Sequence, residues 1–411
     1  MNYNLLGGIR VVESSAFIAA PLAGMALAQF GADVIRIDVP GGGIDYRRQP
    51  LSPAGRSLYW TGLNKHKRSV AIDVRKPQGR ELVRALIAQE GSNGGVLLTN
   101  LGAPWLSHAS LAQARPDLIS CTIEGNSDGS TAVDYTVNCA VGYPALTGSG
   151  DPSEPVNNVL PAWDVACAYN AAFAIATALA NRRATGQGAE IRLALSDLAF
   201  ATIANLGLTA EVELLGAGRR STGNYLYGAF GKDLTTLDGE RFYVAAISMN
   251  QWRSLVAASG QESAIRALEE KLDFDFGREE DRFTAREPIA ALLQAWSAVR
   301  TFDEVAAQLR AHSVCWGPYQ TVAQAVAADP RLSTQNEVFN RVTTQGVGDH
   351  LAAGAATRIF GATRHPVVPA PLLGQHTDEV LLDVLKLSAA EVGRLHDEAI
   401  VAGADASGSQ A

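Results

Sequence analysis

One aspartate, Asp164, stands at the predicted start of a long alanine-rich helix, shortly after Pro161. An aspartate at this position commonly caps the helix through its side chain. The same carboxylate could act as a nucleophile, because a helix N-terminus favours the ionised form and keeps it charged at neutral pH. The two roles are compatible, so the residues alone leave both open.

Basic residues form two groups that could bind a phosphorylated ligand. Arg47 and Arg48 follow a run of three glycines. Lys65, Lys67 and Arg68 come directly before a predicted strand. Lysine and arginine donate hydrogen bonds to phosphate oxygens, and α/β sheets bind ligands at their strand ends. A solvated charged loop would have the same composition, so both interpretations remain.

Other polar and aromatic residues give weaker signals. Tyr225 and Tyr227 flank Leu226 near a predicted linker, where they could line a pocket or simply pack. His66 and His376 are isolated and are more typical of structural positions. No histidine and cysteine cluster has metal-ligand spacing, so no metal site is predicted.

Short β-branched segments alternate with helical segments over the first part of the chain. The predicted strands of this part lie at 9–12, 34–37, 69–72, 95–99 and 118–123. Residues 164–185 and 196–215 are predicted as helices on either side of a strand at 190–195. Strands that alternate with helices predict a parallel sheet in a doubly wound α/β domain.

The chain changes character after this α/β region. Residues 1–215 form the first part of the predicted large domain, and glycine and arginine mark a linker at 216–229. Residues 230–320 are predicted as a smaller α+β domain, with a hairpin across Asp238 and Gly239. A helix is predicted at 322–328 and another at 378–387.

Composition excludes several classes of protein. The chain has 34 basic and 42 acidic residues and a formal charge of −8, which argues against nucleic-acid and anionic-membrane partners. The first 13 residues lack a basic stretch followed by an apolar one, so no signal peptide is predicted. The four cysteines form no CxxC pair and are predicted to be reduced, mostly buried thiols of a cytoplasmic protein. Residues 165–181 are predicted as a buried helix and not as a membrane span.

Several common catalytic signatures are missing from the sequence. The turn after the first predicted strand has no GxGxxG, and no Walker A motif is present. Neither a GxSxG nucleophile elbow nor an HExxH zinc motif occurs. These absences disfavour nucleotide-dependent dehydrogenases, P-loop enzymes, α/β-hydrolases and zinc proteases.

The order of motifs resembles the class III CoA transferases, the formyl-CoA transferase-like family. The segments that carry the resemblance are LGGIRVVE at 6–13, FGADVIRI at 30–37, NKHKRS at 64–69, TGQG at 185–188 and PLLGQHT at 371–377. The resemblance implies a Rossmann-like large domain built from both chain ends, with 321–411 as a linker and a return to that domain. It also implies ring-shaped subunits that interlock in a homodimer.

The resemblance assigns roles to particular residues. It matches Asp164 to the catalytic aspartate of the family and makes the basic loops the expected CoA site. The residues expected to bind CoA are Ala19, Asn64, Lys65, Lys67, Arg68 and Asn100. Phe17 and Ile18 are expected to contact the acyl substrate. Arg48, Tyr135 and Tyr227 are predicted to do so as well, because the free carboxylate of that substrate needs a cationic or hydrogen-bonding partner. No cofactor is expected, because coenzyme A is part of the acyl-CoA substrate.

The finer resemblance is to members that move CoA between the two carboxyl groups of one methyl-branched C4 dicarboxylate, through covalent aspartyl intermediates. The segment 223–228 lacks the glycine run that formyl-CoA transferases have there. Val133 precedes Asp134 where the racemases of the family have a histidine. Transfer of CoA between two different acids is the main alternative, followed by a racemase-like enzyme or a non-catalytic acyl-CoA binder.

Overall fold

The computed structural model describes residues 3–151 and 153–404. Its strands are β1 (Arg10–Ser14), β2 (Asp33–Asp38), β3 (Arg68–Ile72), β4 (Val96–Thr99), β5 (Ile119–Glu124), β6 (Ala189–Ala194), β7 (Phe230–Thr235), β8 (Arg241–Ala246), β9 (Cys315–Pro318), β10 (Phe339–Thr344), β11 (Gly348–Ala353) and β12 (Val401–Ala402).

The helices follow in chain order. They are α1 (Ala19–Gln29), α2 (Leu58–Leu63), α3 (Pro77–Ile87), α4 (His108–Leu111), α5 (Asp134–Ala140), α6 (Tyr143–Leu146), α7 (Ala162–Thr185), α8 (Leu195–Asn205), α9 (Leu208–Leu215), α10 (Met249–Ser259), α11 (Glu262–Leu272), α12 (Glu279–Thr284), α13 (Arg286–Ser297), α14 (Phe302–Ala311), α15 (Val322–Ala328), α16 (Thr377–Glu379) and α17 (Ala389–Asp397). Short 3₁₀ turns lie at Pro104–Leu106 and Pro330–Leu332, and a π-turn lies at Val380–Val384.

A seven-stranded sheet has the strand order β12-β3-β2-β1-β4-β5-β6. All neighbouring pairs are parallel except β12 with β3. The predicted α/β fold with a parallel sheet is therefore confirmed, with an antiparallel edge strand that the sequence did not predict. The central strands are apolar because both faces of such a sheet are covered, and all four residues of β4 are buried.

The chain divides into two compact units. Unit 1 comprises Met1–Val141, Asn158–Thr209 and Asp329–Ala411, within the residues the structure describes. It contains the seven-stranded sheet and the β10–β11 hairpin. Unit 2 comprises Gly142–Asn157 and Ala210–Ala328. Residues 142–157 thus group with unit 2, whereas the sequence-based division assigned them to the large domain.

Unit 2 is built around the antiparallel sheet β7-β8-β9. The strands β7 and β8 form the hairpin predicted across Asp238 and Gly239. Helices α10 and α13 pack against this sheet. Its core is aromatic and includes Phe230, Trp252 and Phe276, all buried.

The structure corrects two helix predictions. The helix predicted over 196–215 is interrupted at Gly207, whose φ of 83° belongs to the left-handed region. Glycine adopts this conformation without strain, so α8 ends and α9 begins around it. The helix predicted over 378–387 is instead α16 followed by the π-turn at Val380–Val384.

By length and composition alone, helix α7 is long and apolar enough to cross a membrane. Helices α8 and α9 meet the same criteria of length and composition if they are taken together as one bent helix. The prediction of a buried helix over 165–181 holds only in part, because 33% of the most apolar stretch of α7 is buried. Within unit 1, α7 packs against α1 and β5. The absence of a membrane partner remains a prediction.

Candidate active site

The loops that follow β1 and β4 meet at the point where the strand order of the sheet reverses. The backbone N–H of Ala16 donates to Asn100 Oδ1 at 2.9 Å, and Asn100 Nδ2 donates to the Ala16 carbonyl at 2.8 Å. Ligands of open α/β sheets bind in the crevice at this reversal. Asn100 therefore fixes the loop that carries Phe17 and Ile18, and Ile18 directly precedes α1.

Asp164 lies in the first turn of α7. The helix begins at Ala162 with Pro161 at the N-cap, so Asp164 is its third residue and the predicted capping role is wrong. Helix α7 leads into β6, which is parallel to β5. A crossover helix runs opposite to its strands, so the start of α7 lies toward their carboxyl ends, where the site is expected.

Asp134 supplies the cap that Asp164 does not. Its Oδ2 accepts the backbone N–H groups of Trp163 at 2.6 Å and of Asp164 at 3.0 Å. The Trp163 indole donates to Asn138 Oδ1 at 3.2 Å, which ties α5 to the same helix end. Asp134 is buried. Its two hydrogen bonds fix the backbone that carries the Asp164 carboxylate.

Sequence reasoning missed this role of Asp134. The available signal was an aspartate at the start of a short helical segment, which is α5. Such a residue ordinarily stabilises its own helix, and the sequence does not show that it caps a helix some 30 residues later.

The surroundings of Asp164 raise the pKa of its carboxyl group above the usual value for an aspartate. Burial raises the pKa of its carboxyl group to about 6, and the charge of Asp134 acts in the same direction. Arg48 opposes both effects and lowers that pKa. The carboxylate is therefore mostly ionised at pH 7 and becomes protonated below about pH 6.

Arg48 connects the aspartate with two aromatic rings. Its guanidinium carbon lies 5.5 Å from the centre of the Phe17 ring and 5.1 Å from the centre of the Tyr59 ring. Cations at such distances are attracted by the ring faces. The carbonyl of Arg48 also accepts the Ser57 hydroxyl at the start of α2, at 2.5 Å. These contacts hold an exposed arginine in one place.

Tyr59 is a further residue that the sequence did not single out. Among the described residues its buried hydroxyl has no hydrogen-bond partner. Burial raises the pKa of Tyr59 to about 12, Arg48 lowers it, and Asp164 and Tyr135 raise it. The hydroxyl is therefore a protonated donor at neutral pH. Asp164, Arg48 and Tyr135 all act electrostatically on this hydroxyl, which places the three side chains around Tyr59.

Two residues predicted to bind CoA form hydrogen bonds inside unit 1. The buried ammonium of Lys67 donates to Glu13 Oε1 at 2.9 Å, Asn64 Oδ1 at 2.9 Å and the Pro21 carbonyl at 2.8 Å. Asn64 Oδ1 also accepts from Arg36 at 3.1 Å. These bonds hold both side chains inside unit 1, and contact of the two residues with CoA stays a prediction.

The remaining predicted CoA residues have other surroundings. Lys65 donates to the Gly62 carbonyl, and burial lowers the pKa of its ammonium to about 8. Arg68 pairs with Asp33 and Glu379 on the surface. Ala19 is buried in the first turn of α1. Their contact with CoA stays a prediction.

Tyr227 belongs to unit 2. Its ring packs against Phe283 with centroids 5.1 Å apart, and the Arg219 guanidinium lies 4.0 Å from its centre. Arg219 in turn pairs with Glu211. The predicted contact of Tyr227 with the acyl substrate stays a prediction.

A buried ionic network lies behind the loop after β1. Fully buried Arg36 pairs with Asp38 at 2.9 Å and Asp45 at 3.3 Å, and lies 3.5 Å from Glu13. Glycine at position 24 makes room for it, because a Cβ there would overlap the Glu13 carboxylate. Opposite charges and hydrogen bonds compensate the loss of water in this network.

Arg36→Met is expected to destabilise the protein by about 3–5 kcal/mol, because it leaves buried carboxylates without their cation. The measurement is the midpoint of urea unfolding. Arg10→Gln on the adjacent strand is the control, since it removes only a partly exposed pair with Asp33 worth less than about 1 kcal/mol. Equal effects of the two variants would contradict the importance of the network.

Asp134→Asn is expected to move the acid limb of the activity profile to lower pH. The negative charge of Asp134 raises the pKa of Asp164, so removing it lowers that pKa and keeps the Asp164 carboxylate ionised in more acid solution. The asparagine oxygen can still accept the two N–H groups at the start of α7. The measurement is kcat/KM from pH 5 to 8, and a limb that stays or moves upward would contradict the electrostatic role.

The described residues, 3–151 and 153–404, contain no group of three or more histidine, cysteine or acidic side chains suited to hold a metal ion.

Two of the four cysteines, Cys121 and Cys167, are buried, whereas Cys139 and Cys315 are exposed. The expectation of mostly buried thiols therefore holds for half of them. All four are free.

Comparisons with known proteins find similarity along nearly the whole chain. A sequence profile of CoA-transferase family III matches residues 6–377. The 2-methylfumaryl-CoA isomerase of Chloroflexus aurantiacus is 49% identical over 403 residues, which cover 98% of each chain. The succinyl-CoA–D-citramalate CoA-transferase of the same organism is 26% identical over 408 residues, covering 96% of this chain and 98% of that one.

The fold agrees with these sequence matches. The crystal structure of a CAIB/BAIF family protein from Brucella suis aligns with a TM-score of 0.77 at 26% identity. The alignment covers 93% of this chain and all of that one. The α/β architecture is thus shared with a solved structure over almost its full length.

Proposed function

Because the chain belongs to CoA-transferase family III, we propose that it moves CoA between the two carboxyl groups of 2-methylfumaryl-CoA. The relative that carries this activity in its name shares 49% of its residues over nearly the full length of both chains. The observation in the molecule that carries the proposal is the grouping of Asp164 with Arg48 and two tyrosines. It offers a nucleophile and a cation for a substrate that always keeps one carboxylate free.

The reaction begins at Asp164. Its carboxylate attacks the thioester carbonyl, the carbon–sulfur bond breaks, CoA leaves as thiolate, and a mixed anhydride remains. The thiolate then attacks the aspartyl carbonyl, which forms an aspartyl-CoA thioester and frees the dicarboxylate. Covalent intermediates of this kind divide a difficult transfer into easier steps.

The second half runs the same chemistry in reverse at the other end of the acid. The other carboxylate attacks the aspartyl thioester and expels thiolate, which then attacks the acyl carbonyl of the new anhydride. Asp164 leaves as carboxylate and is ready for another cycle. Each step exchanges one activated acyl group for another, so we propose that no cofactor takes part.

Arg48 and the tyrosines support the parts of this cycle that carry negative charge. Arg48 is exposed and its guanidinium is fixed over Phe17 and Tyr59, so it can pair with the carboxylate that is not reacting. The free Tyr59 hydroxyl can donate to an oxyanion or to that carboxylate. Both interactions would keep the free dicarboxylate in the site while it turns.

The test supplies 2-methylfumaryl-CoA whose CoA thioester is at the first carboxyl group, together with isotope-labelled mesaconate, which is free 2-methylfumarate. The CoA esters in the product are then distinguished by mass. Formation of the regioisomer without label supports transfer within one substrate. Label in the product would refute that route and indicate transfer between two acids. The absence of any reaction would remove 2-methylfumaryl-CoA as the substrate.

We further propose that the protein acts as an interlocked homodimer in the cytoplasm. Tyr169 and Phe173 are exposed on α7 by 57% and 71%, beside an apolar hollow of about 500 Å³ lined by α1 and α7. Contiguous apolar surface of this kind commonly marks an interface, and free cysteines agree with a reducing compartment. Light scattering should give the mass of two chains, and a monomer would contradict the assembly.

A further inference from the structure

Asp45 lies beneath the pair formed by Phe17 and Arg48. Its side chain is 2% exposed. Its Oδ2 accepts the backbone N–H of Phe17 at 3.0 Å, and Arg36 Nη2 donates to both of its oxygens at 3.3 Å. One buried carboxylate therefore links the charged network of unit 1 to the loop after β1.

Asp45 also fixes the turn that carries Arg48. The Arg48 backbone N–H donates to the Asp45 carbonyl at 3.1 Å, and the Arg48 guanidinium then reaches the Phe17 ring. Phe17 has a φ of 64°, a conformation that residues with a side chain rarely adopt and that needs support from its surroundings. The hydrogen bond from Phe17 to Asp45 supplies such support.

We propose that Asp45 is a positioning residue for the transfer reaction: it fixes the Phe17 backbone and the Arg48 guanidinium so that the free dicarboxylate is retained between the two half-reactions. The inference rests on the proposed function and extends it to a residue that does not touch the substrate. Its role is carried through Phe17 and Arg48, since the carboxylate itself is enclosed.

A carboxylate is required because donors approach it from two sides. The Phe17 amide points at one oxygen, and the Arg36 guanidinium bridges both. An asparagine has nearly the same shape but only one acceptor oxygen. An asparagine with its oxygen in the place of Oδ1 would lose the Phe17 hydrogen bond. With its oxygen in the place of Oδ2 it would turn its NH₂ group against the Arg36 guanidinium. Asp45→Asn therefore weakens at least one of the two connections without a large change in volume.

The chain offers a matched control in Asp38. Arg36 donates to Asp38 Oδ2 at 2.9 Å and Oδ1 at 3.1 Å, so this buried carboxylate belongs to the same network. Within the described residues, Asp38 takes no part in the hydrogen bond from the Phe17 amide to Asp45. Nor does it take part in the bond from the Arg48 amide to the Asp45 carbonyl. Asp38→Asn therefore perturbs Arg36 without releasing the Phe17–Arg48 pair.

The experiment compares Asp45→Asn, Asp38→Asn and the unchanged protein in the labelled-mesaconate assay, with thermal unfolding measured alongside. Displacement of a positioned group by about 1 Å can cost about 100-fold in rate, so kcat of Asp45→Asn should fall by about 10- to 100-fold. The labelled fraction of its product should rise. Asp38→Asn should lose thermal stability but keep the labelled fraction of the unchanged protein.

A rise in labelled product in both variants, or in neither, would overturn the positioning role. Crystal structures of the two variants give a readout that does not depend on activity: Arg48 should leave the Phe17 ring in Asp45→Asn and stay on it in Asp38→Asn. An Arg48 that stays in both would also overturn the inference. An unchanged protein that does not isomerise 2-methylfumaryl-CoA would refute the proposed function and leave this structural comparison valid.

Discussion

Asp164→Asn is expected to lower the rate of CoA transfer by about 10⁴-fold or more, as removal of a catalytic nucleophile typically does. The amide is a poor nucleophile and cannot form the anhydride or the aspartyl-CoA thioester. Its shape is preserved, and the N–H of residue 164 can still donate to Asp134. The measurement is turnover of the CoA ester, with calorimetric titration to show that the ester still binds.

Asp197→Asn is the matched control for this variant. Asp197 is the third residue of α8, just as Asp164 is the third residue of α7, and it is exposed. A general effect of losing an acidic residue near a helix start would therefore lower both activities. Full activity of Asp164→Asn would refute the covalent route.

Trapping gives a second, independent reading of the covalent intermediate. Hydroxylamine attacks anhydrides and thioesters, so addition during turnover should convert Asp164 to its hydroxamate. The modified peptide is identified by mass. Modification without substrate, or in Asp164→Asn, would contradict the assignment of the intermediate to this residue.

Arg48→Met is expected to give the second largest loss, about 10- to 100-fold in kcat/KM, because hydrogen bonds to charged groups contribute about 1.5–3 kcal/mol. Methionine can keep much of the apolar contact with the Phe17 and Tyr59 rings but carries no charge. The free carboxylate of the substrate then loses its cation. The labelled-mesaconate assay should show more exchange with acid from solution.

The same variant makes a distinct prediction about pH. Arg48 lowers the pKa of Asp164, so its removal raises that pKa and moves the acid limb of kcat/KM upward from about pH 6. This shift is opposite to the one expected for Asp134→Asn. Arg47→Met, at the adjacent exposed arginine, is the control, and an upward shift in that variant as well would contradict a specific role for Arg48.

The sequence predicted the parts of the fold that depend on local patterns. The β-branched runs became β1 to β6, and the alanine-rich segment became α7. The break at Gly207 was missed because apolar spacing continues through it. The antiparallel strand β12 was missed because a two-residue strand has no periodicity to detect.

The candidate site was predictable only in part for a related reason. Motif order singled out Asp164, and the structure places it within electrostatic range of Arg48 and Tyr59. A sequence shows charges without their partners, so nothing in it distinguished the buried ammonium of Lys67 from a surface lysine. The link between Asp134 and the start of α7 is likewise a tertiary contact.

The edge strand β12 has a consequence for how the chain is made. It pairs with β3, and the backbone of His376 also donates to the Ser69 carbonyl. The chain emerges from the ribosome with its N-terminus first. All residues of unit 2 therefore emerge before β12, which covers the edge of β3. Uncovered edge strands invite pairing with other chains. The segment that carries β12 is therefore also the one that ends the period in which a nascent chain can aggregate through β3.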